Sequence, residues 1–146
     1  MSNLPPKTFD PKGGLLIIGT IKVAGYADGT YLNLTFPNQL YNDKDGADGE
    51  TGRIKVANGL KANLEIVLMM TSMTNDLLFA LSAAAYDTNI TFPITYKDIN
   101  GSTVWSSNKC WPIKMPDQGL DKDNVANRNW TFLCPKVLGL IIGGNF

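Results

Sequence analysis

Residues 75–86 constrain the fold of this chain more than any other stretch. Leu77, Leu78, Phe79, Ala80, Leu81, Ala83, Ala84 and Ala85 surround nearly the whole of a helical cylinder, and beyond the first turn only Ser82 is polar. A helix that is apolar all round has to be covered all round. A small sheet protein covers one side of its helix, so the other side needs a partner. Enclosure of the whole helix within its own core is the competing reading. It is hard to reconcile with a chain of 146 residues, which buries only about 68–70% of its surface on folding.

The helix is fed by a strand. From Lys61 onward Ala62, Leu64, Ile66, Leu68 and Met70 alternate with Lys61, Asn63 and Glu65, the period of 2 expected of a half-buried strand. At Val67 and Met69 the second face turns apolar too, which predicts cover on both sides there. Thr71-Ser72-Met73-Thr74 breaks the alternation. A Ser72 or Thr74 hydroxyl is placed to accept a hydrogen bond from an unpaired amide of the first helical turn, and Asp76 suits its positive dipole end.

Elsewhere the chain reads as short strands and turns. Residues 1–13, with Pro5-Pro6 and Asp10-Pro11, form an aperiodic arm. Residues 14–26 read as a strand joined by Asp28-Gly29 to a second over 30–36, a β-hairpin. Residues 38–52 lack any apolar period and form a long acidic loop carrying Asp43, Asp45, Asp48 and Glu50, with Lys44 its only base. Loops of that length are usually functional or disordered. Asp43 and Asp45 do not begin a calcium loop, because Ala47, Asp48 and Ile54 stand where Asp or Asn, Gly and Glu are required. Further strands are expected over 53–57, 91–97, 104–107, 110–115, 129–134 and 137–142, the last buried on both faces. Pro93 and Pro112 mark an edge or a bulge. The sum is about eight strands and one helix: a mainly β chain, an antiparallel β-sandwich or barrel with a flanking helix, in a single domain over 1–146 with its core at 14–144.

The chemistry inventory points away from catalysis. There is no histidine, and 13 basic residues balance 13 acidic ones. His-dependent nucleophiles and metal sites are thereby excluded, and the basic footprint of a phosphate binder is missing. Cys110 and Cys134 are too few for a disulfide framework and read as small buried hydrophobes. Trp105, Trp111 and Trp130 fall in strand patterns and read as core. No carboxylate pair or phosphate cradle stands out, so the expectation is a non-enzyme with no catalytic residue, cofactor or metal. The apolar runs at 15–18 and 137–142 are too short for a signal core or a membrane span. The four Asn-x-Ser/Thr matches at Asn33, Asn89, Asn100 and Asn129 read as chance in a chain assembled in a cytoplasm.

The ordered set of motifs resembles one family of bacteriophage tail-tube proteins. Residues 19–30, GTIKVAGYADGT, are similar to its opening hairpin, and 46–50, GADGE, to its long loop. Residues 68–78, LMMTSMTNDLL, resemble its strand-into-helix junction. Phe92-Pro93-Ile94 with 97–101, Asn129-Trp130-Thr131-Phe132 and the closing 137–144 resemble its later strands. The likeness covers about residues 14–144; the Cys110-Trp111-Pro112 stretch and the acidic loop after it depart from the pattern.

The resemblance implies a virion protein of the phage tail, assembled in the bacterial host cytoplasm into stacked hexameric rings whose sheets join as one inner barrel. DNA passes through such a tube without specific binding. Expected partners are other copies of the chain, a tail sheath if the tail contracts, and the tape-measure, baseplate and tail terminator proteins. Tyr41, Asp43, Lys44, Asp45, Asp48 and Glu50 in the loop and Leu78 and Leu81 on the helix are the expected contacts between subunits and rings. Glu65 is the candidate facing the channel. The competing expectation is a monomeric carbohydrate- or ligand-binding β-sandwich module with an exposed platform at Trp105 or Trp111.

Overall fold

A computed structural model describes residues 13–98, 103–120, 122–123 and 126–141. The expected arm up to residue 12, the turn at 99–102 and Phe146 lie outside the described residues. The elements in order are β1 (Gly14–Ile18), β2 (Ile21–Lys22), β3 (Leu32–Thr35), β4 (Tyr41–Asp45), β5 (Thr51–Lys55), β6 (Ala62–Met69), α1 (Thr74–Thr88), β7 (Phe92–Asp98), β8 (Val104–Lys114), β9 (Asn127–Cys134) and β10 (Leu138–Ile141). The chain is mainly β, every described strand pair is antiparallel, and the fold is sandwich-like with one helix, as the sequence implies.

The long strand β8 joins the two halves of the sheet. Its first part pairs with β7 and β10, and its second part pairs with β9. One half therefore runs β2-β1-β7-β8, with β10 beside β8, and the other runs β8-β9-β6-β3. Both prolines sit at irregularities, as expected of residues that cannot donate to a ladder. Pro93 lies where the β7–β8 register shifts, and Pro112 where the β8–β9 register shifts.

The inward faces of both halves close over one core. Leu16 and Ile18 of β1, Ile94 of β7, Trp105 of β8, Leu64, Ile66 and Leu68 of β6, and Trp130 and Phe132 of β9 are buried in it. Full burial of such side chains stabilises by about 1.5–3 kcal/mol each. β6 alternates buried and more accessible residues along its whole length, and the cover expected on both faces at Val67 and Met69 is not found, since Met69 is exposed.

Four further expectations need correction. The stretch 14–26 is not one strand. Gly19, at φ 64, turns it into the tight β1–β2 hairpin, with Ile18 opposite Ile21. Asp28-Gly29 does not close a hairpin either: β2 belongs to one half of the sheet, whereas β3 pairs with β6 in the other. The residues at 38–52 are not a structureless loop, since β4 and β5 form a two-stranded hairpin of their own. Finally, the strand at the C-terminal end is not covered on both faces. β10 hangs on the edge of β8, and Leu138 is exposed.

The link from β6 into α1 is locked by hydrogen bonds from the residues that break the strand pattern. Ser72 Oγ donates to the Ala24 carbonyl (2.7 Å) and accepts from the Thr74 amide (3.3 Å). Thr74 Oγ1 accepts from the Ala24 amide at 3.1 Å. Asn75 Nδ2 donates to the Met69 carbonyl (2.8 Å), and Asn75 Oδ1 accepts from Trp130 Nε1 (3.0 Å). Gly25, at φ 78, is required where the chain passes this junction, because a Cβ there would lie 2.5 Å from Ser72. These bonds set the angle at which the helix leaves the sheet.

Candidate assembly interface

The helix is inverted relative to an ordinary amphipathic one. Its buried residues are Thr74, Asn75, Leu78, Ser82 and Ala85. Ser82, the polar exception in its sequence, points inward, and its hydroxyl has no hydrogen-bond partner among the described residues. Leu77 (53% exposed) and Tyr86 (85%) point outward along with Ala80, Ala83 and Ala84. Met73, just before the helix, is 81% exposed. Phe79 reaches back over the edge of Trp130, with ring centroids 4.8 Å apart. The face turned to water is thus at least as apolar as the face turned to the core.

The apolar surface continues onto the tail of β8. Trp111 and Ile113 are exposed there, Met115 just beyond it, and Ile90 follows the helix. Two depressions of about 290 Å³ and 410 Å³ lie between them, both bordered by Tyr86 and Pro112. Isolated exposed apolar residues are ordinary; a run of them along a helix and the neighbouring strand is not.

Among the described residues, two strand edges lie open on the same half of the sheet. β3 ends the order β8-β9-β6-β3 on one side. On the other, residues 111–114 of β8 pair with β9 alone. Unpaired edges invite pairing with another chain. The outward face between these edges carries Asn33, Thr35, Asn63, Glu65, Asn129 and Thr131, with Glu65 directly opposite Asn33 and Thr131. Glu65 is the one charge among those six residues, and it is exposed.

The β4–β5 hairpin gathers six of the expected contact residues into one exposed arm. Tyr41, Asp43, Lys44 and Asp45 lie on β4, and Asp48 and Glu50 in the turn; both strands are exposed throughout. Polar cross-strand pairs hold it where apolar ones are lacking. Asp43 faces Arg53, Thr51 Oγ1 donates to Asp45 Oδ1 at 2.8 Å, and the Arg53 guanidinium sits 4.7 Å from the Tyr41 ring centre. A two-stranded hairpin standing alone in water is marginally stable. Leu40, Tyr41 and Ile54 leave apolar area on it.

Of the two helical candidates, Leu81 is half-buried against the core, and Leu78 is wholly enclosed in the chain's own core. Leu78 therefore offers no surface to another subunit, and the outward positions beside it are Leu77 and Phe79. Trp105 is likewise buried, which leaves Trp111 as the exposed member of the expected platform. Among the described residues, no group of three or more His, Cys, Asp or Glu side chains is arranged to hold a metal ion.

No protein-family description matches this sequence, and no curated protein matches it. Solved structures do share its fold. One is the sheath/tube terminator of an extracellular contractile injection system in its extended state (TM-score 0.58, 11% identity, 90% of this chain and 95% of that one). Another is the tube-terminating cap of the anti-feeding prophage (TM-score 0.62, 10% identity, 94% and 93%). A third comes from an extracellular contractile injection system sheath–tube complex in the extended state (TM-score 0.60, 10% identity, 92% and 93%).

Proposed function

We propose that this chain is a structural subunit of a phage tail or a phage-tail-like particle, built to form hexameric rings that stack into a tube. The observation that carries the reading is the inverted helix, whose outward face between Asp76 and Asp87 is apolar while Ser82 is spent inside. A monomer gains nothing from that arrangement; a subunit whose neighbours bury Leu77, Tyr86 and the β8 tail gains the full transfer free energy of those side chains. The open edges of β3 and β8 suit ring closure by sheet extension from one copy to the next. The β4–β5 hairpin suits contact with the adjacent ring through Tyr41, Asp43, Lys44, Asp45, Asp48 and Glu50. Leu81 lies at the margin of the subunit contact.

In such a ring the polar face bearing Glu65 lines the bore. At the β8 edge of that face Lys114 stands opposite Thr131 and offsets Glu65, so the amide and hydroxyl side chains carry no net positive charge to hold phosphates, and DNA passes during ejection without adhesion. The particle is a virion or a related assembly made in a bacterial host. Its other partners are a sheath if the tail contracts, the tape-measure protein, the baseplate and the tail terminator. The likeness in fold to injection-system tube and terminator subunits supports a structural, non-enzymatic role.

Negative-stain imaging of the purified chain tests the proposal: rings or tubes of uniform bore are expected. A monomer persisting at high concentration would overturn it and would favour the second reading, a monomeric ligand-binding module, for which exposed Trp111 beside the depression at Tyr86 is the supporting observation. Rings that form but never stack would assign the chain to the end of a tube and not its length.

A further inference from the structure

Cys110 and Cys134 are both fully buried, and their sulfurs lie 3.6 Å apart. The β8–β9 register places Trp111 opposite Leu133, and continuing it by one residue sets Cys110 opposite Cys134. Cross-strand neighbours have Cα separations of about 4.5–5.5 Å, inside the range a disulfide spans. Cys110 also sits where β8 leaves β7, opposite Phe92, and turns toward β9. It is therefore the point at which the two halves of the sheet are joined. Ser107 Oγ donates to the Lys136 carbonyl at 2.9 Å, which keeps the segment that follows β9 against this part of β8.

We propose that Cys110 and Cys134 form a redox-controlled covalent staple between β8 and β9, open as a dithiol and closed as a disulfide. The oxidant is a small peroxide able to reach the core through local opening. The Cys110 thiolate attacks one peroxide oxygen, the O–O bond breaks, and the other oxygen leaves as water after taking a proton, so that Cys110 becomes a sulfenic acid. The Cys134 sulfur then attacks Cys110 Sγ. The S–O bond breaks, and hydroxide leaves as a second water with the Cys134 proton. Two thiols and one hydrogen peroxide thus give one disulfide and two waters, and two electrons pass from sulfur to oxygen. The surroundings of the two thiols differ. Contact with Cys134 is the main cause that pulls the Cys110 thiol down to about 7, and the same contact, together with burial, pushes Cys134 up.

The staple closes a loop between residues 24 positions apart and removes freedom from the unfolded chain. It leaves the folded surface unchanged. A subunit folded in a reducing cytoplasm would then be locked once it meets an oxidising medium. The location of that encounter rests on the proposed particle; the chemistry does not.

The test uses the purified full chain, treated with hydrogen peroxide and then alkylated in denaturant. Intact mass is expected to fall by about 2 Da with no alkyl group added, and a linked peptide pair containing Cys110 and Cys134 should be recovered. The thermal midpoint should rise by about 5–10 °C and return on addition of dithiothreitol. In Cys134→Ser both the link and the peroxide-induced rise in thermal midpoint should be absent. Two alkylated thiols after peroxide, or separate over-oxidation of each cysteine, would overturn the proposal. So would a link that forms only when the chain is oxidised in denaturant. Ring formation does not enter these readouts, so a failed staple and a failed assembly are told apart.

Discussion

Helix α1 and the β4–β5 hairpin both present unfinished surface, by opposite chemistry. The helix is anchored in the core through Leu78 and Ala85 and by the Asn75 hydrogen bonds to Met69 and Trp130, and it turns leucine, alanine and tyrosine outward. The hairpin has no core beneath it, is exposed along both strands, and holds itself with charge and hydroxyl pairs. A rigid apolar face loses little conformational entropy when covered, whereas a polar arm that is marginal alone must be ordered by what it touches. In the proposed assembly the helix supplies adhesion, and the hairpin supplies reach and register.

The sharpest test of this contrast lies on adjacent helical residues. Leu78→Asp buries an unpaired carboxylate and should cost at least about 4 kcal/mol, read as loss of cooperative thermal unfolding. Leu77→Asp, one residue away but exposed, should stay within about 0.5 kcal/mol of the parent yet abolish rings in negative stain. If both variants assemble, the helix is not the adhesive surface. Deleting residues 43–50 should leave unfolding within about 1 kcal/mol, because the hairpin buries little, while tubes give way to unstacked rings. Tubes of normal length from that deletion would remove the hairpin from the ring contact.

Smaller effects probe the cost of the inverted helix. Ser82→Ala removes a buried hydroxyl without a partner and should stabilise the chain by up to about 1 kcal/mol by denaturant titration; destabilisation would reveal a partner for that hydroxyl. The smallest effect is at alkaline pH. Burial, with Tyr96 and Tyr31 nearby, pushes the Tyr26 hydroxyl well above its ordinary value of 10.0. A group with a raised folded value contributes stability below its unfolded value and loses it as pH climbs through the folded one. The thermal midpoint should therefore hold to about pH 9 and decline above 10, with a shallower decline in Tyr26→Phe. An equal decline in both would place the alkaline sensitivity elsewhere.

Much of the sheet was legible because burial writes itself into period. β6, β7 and β9 alternate as their sequences do, and Pro93 and Pro112 announced the irregularities found at them. The hairpin at β4–β5 was not legible as strand. With no buried face there is no apolar period to read, and its cross-strand polar pairs emerge only once the register is known. The false hairpin at Asp28-Gly29 has the same root: a turn signal reports that the chain bends, not which strands pair afterwards.

By itself the sequence determined that this chain is mainly β with one helix, and that the helix is apolar on nearly every side. These follow from composition and from period, which are local properties. Tertiary structure alone decided which side of α1 faces the core, which strand edges stay open, and that two cysteines 24 positions apart meet in the interior. A helix apolar on every side carries no record of its own orientation. Only the hydrogen bonds of Ser72, Thr74 and Asn75, made to residues distant in sequence, turn Leu78 inward and leave Leu77 outside.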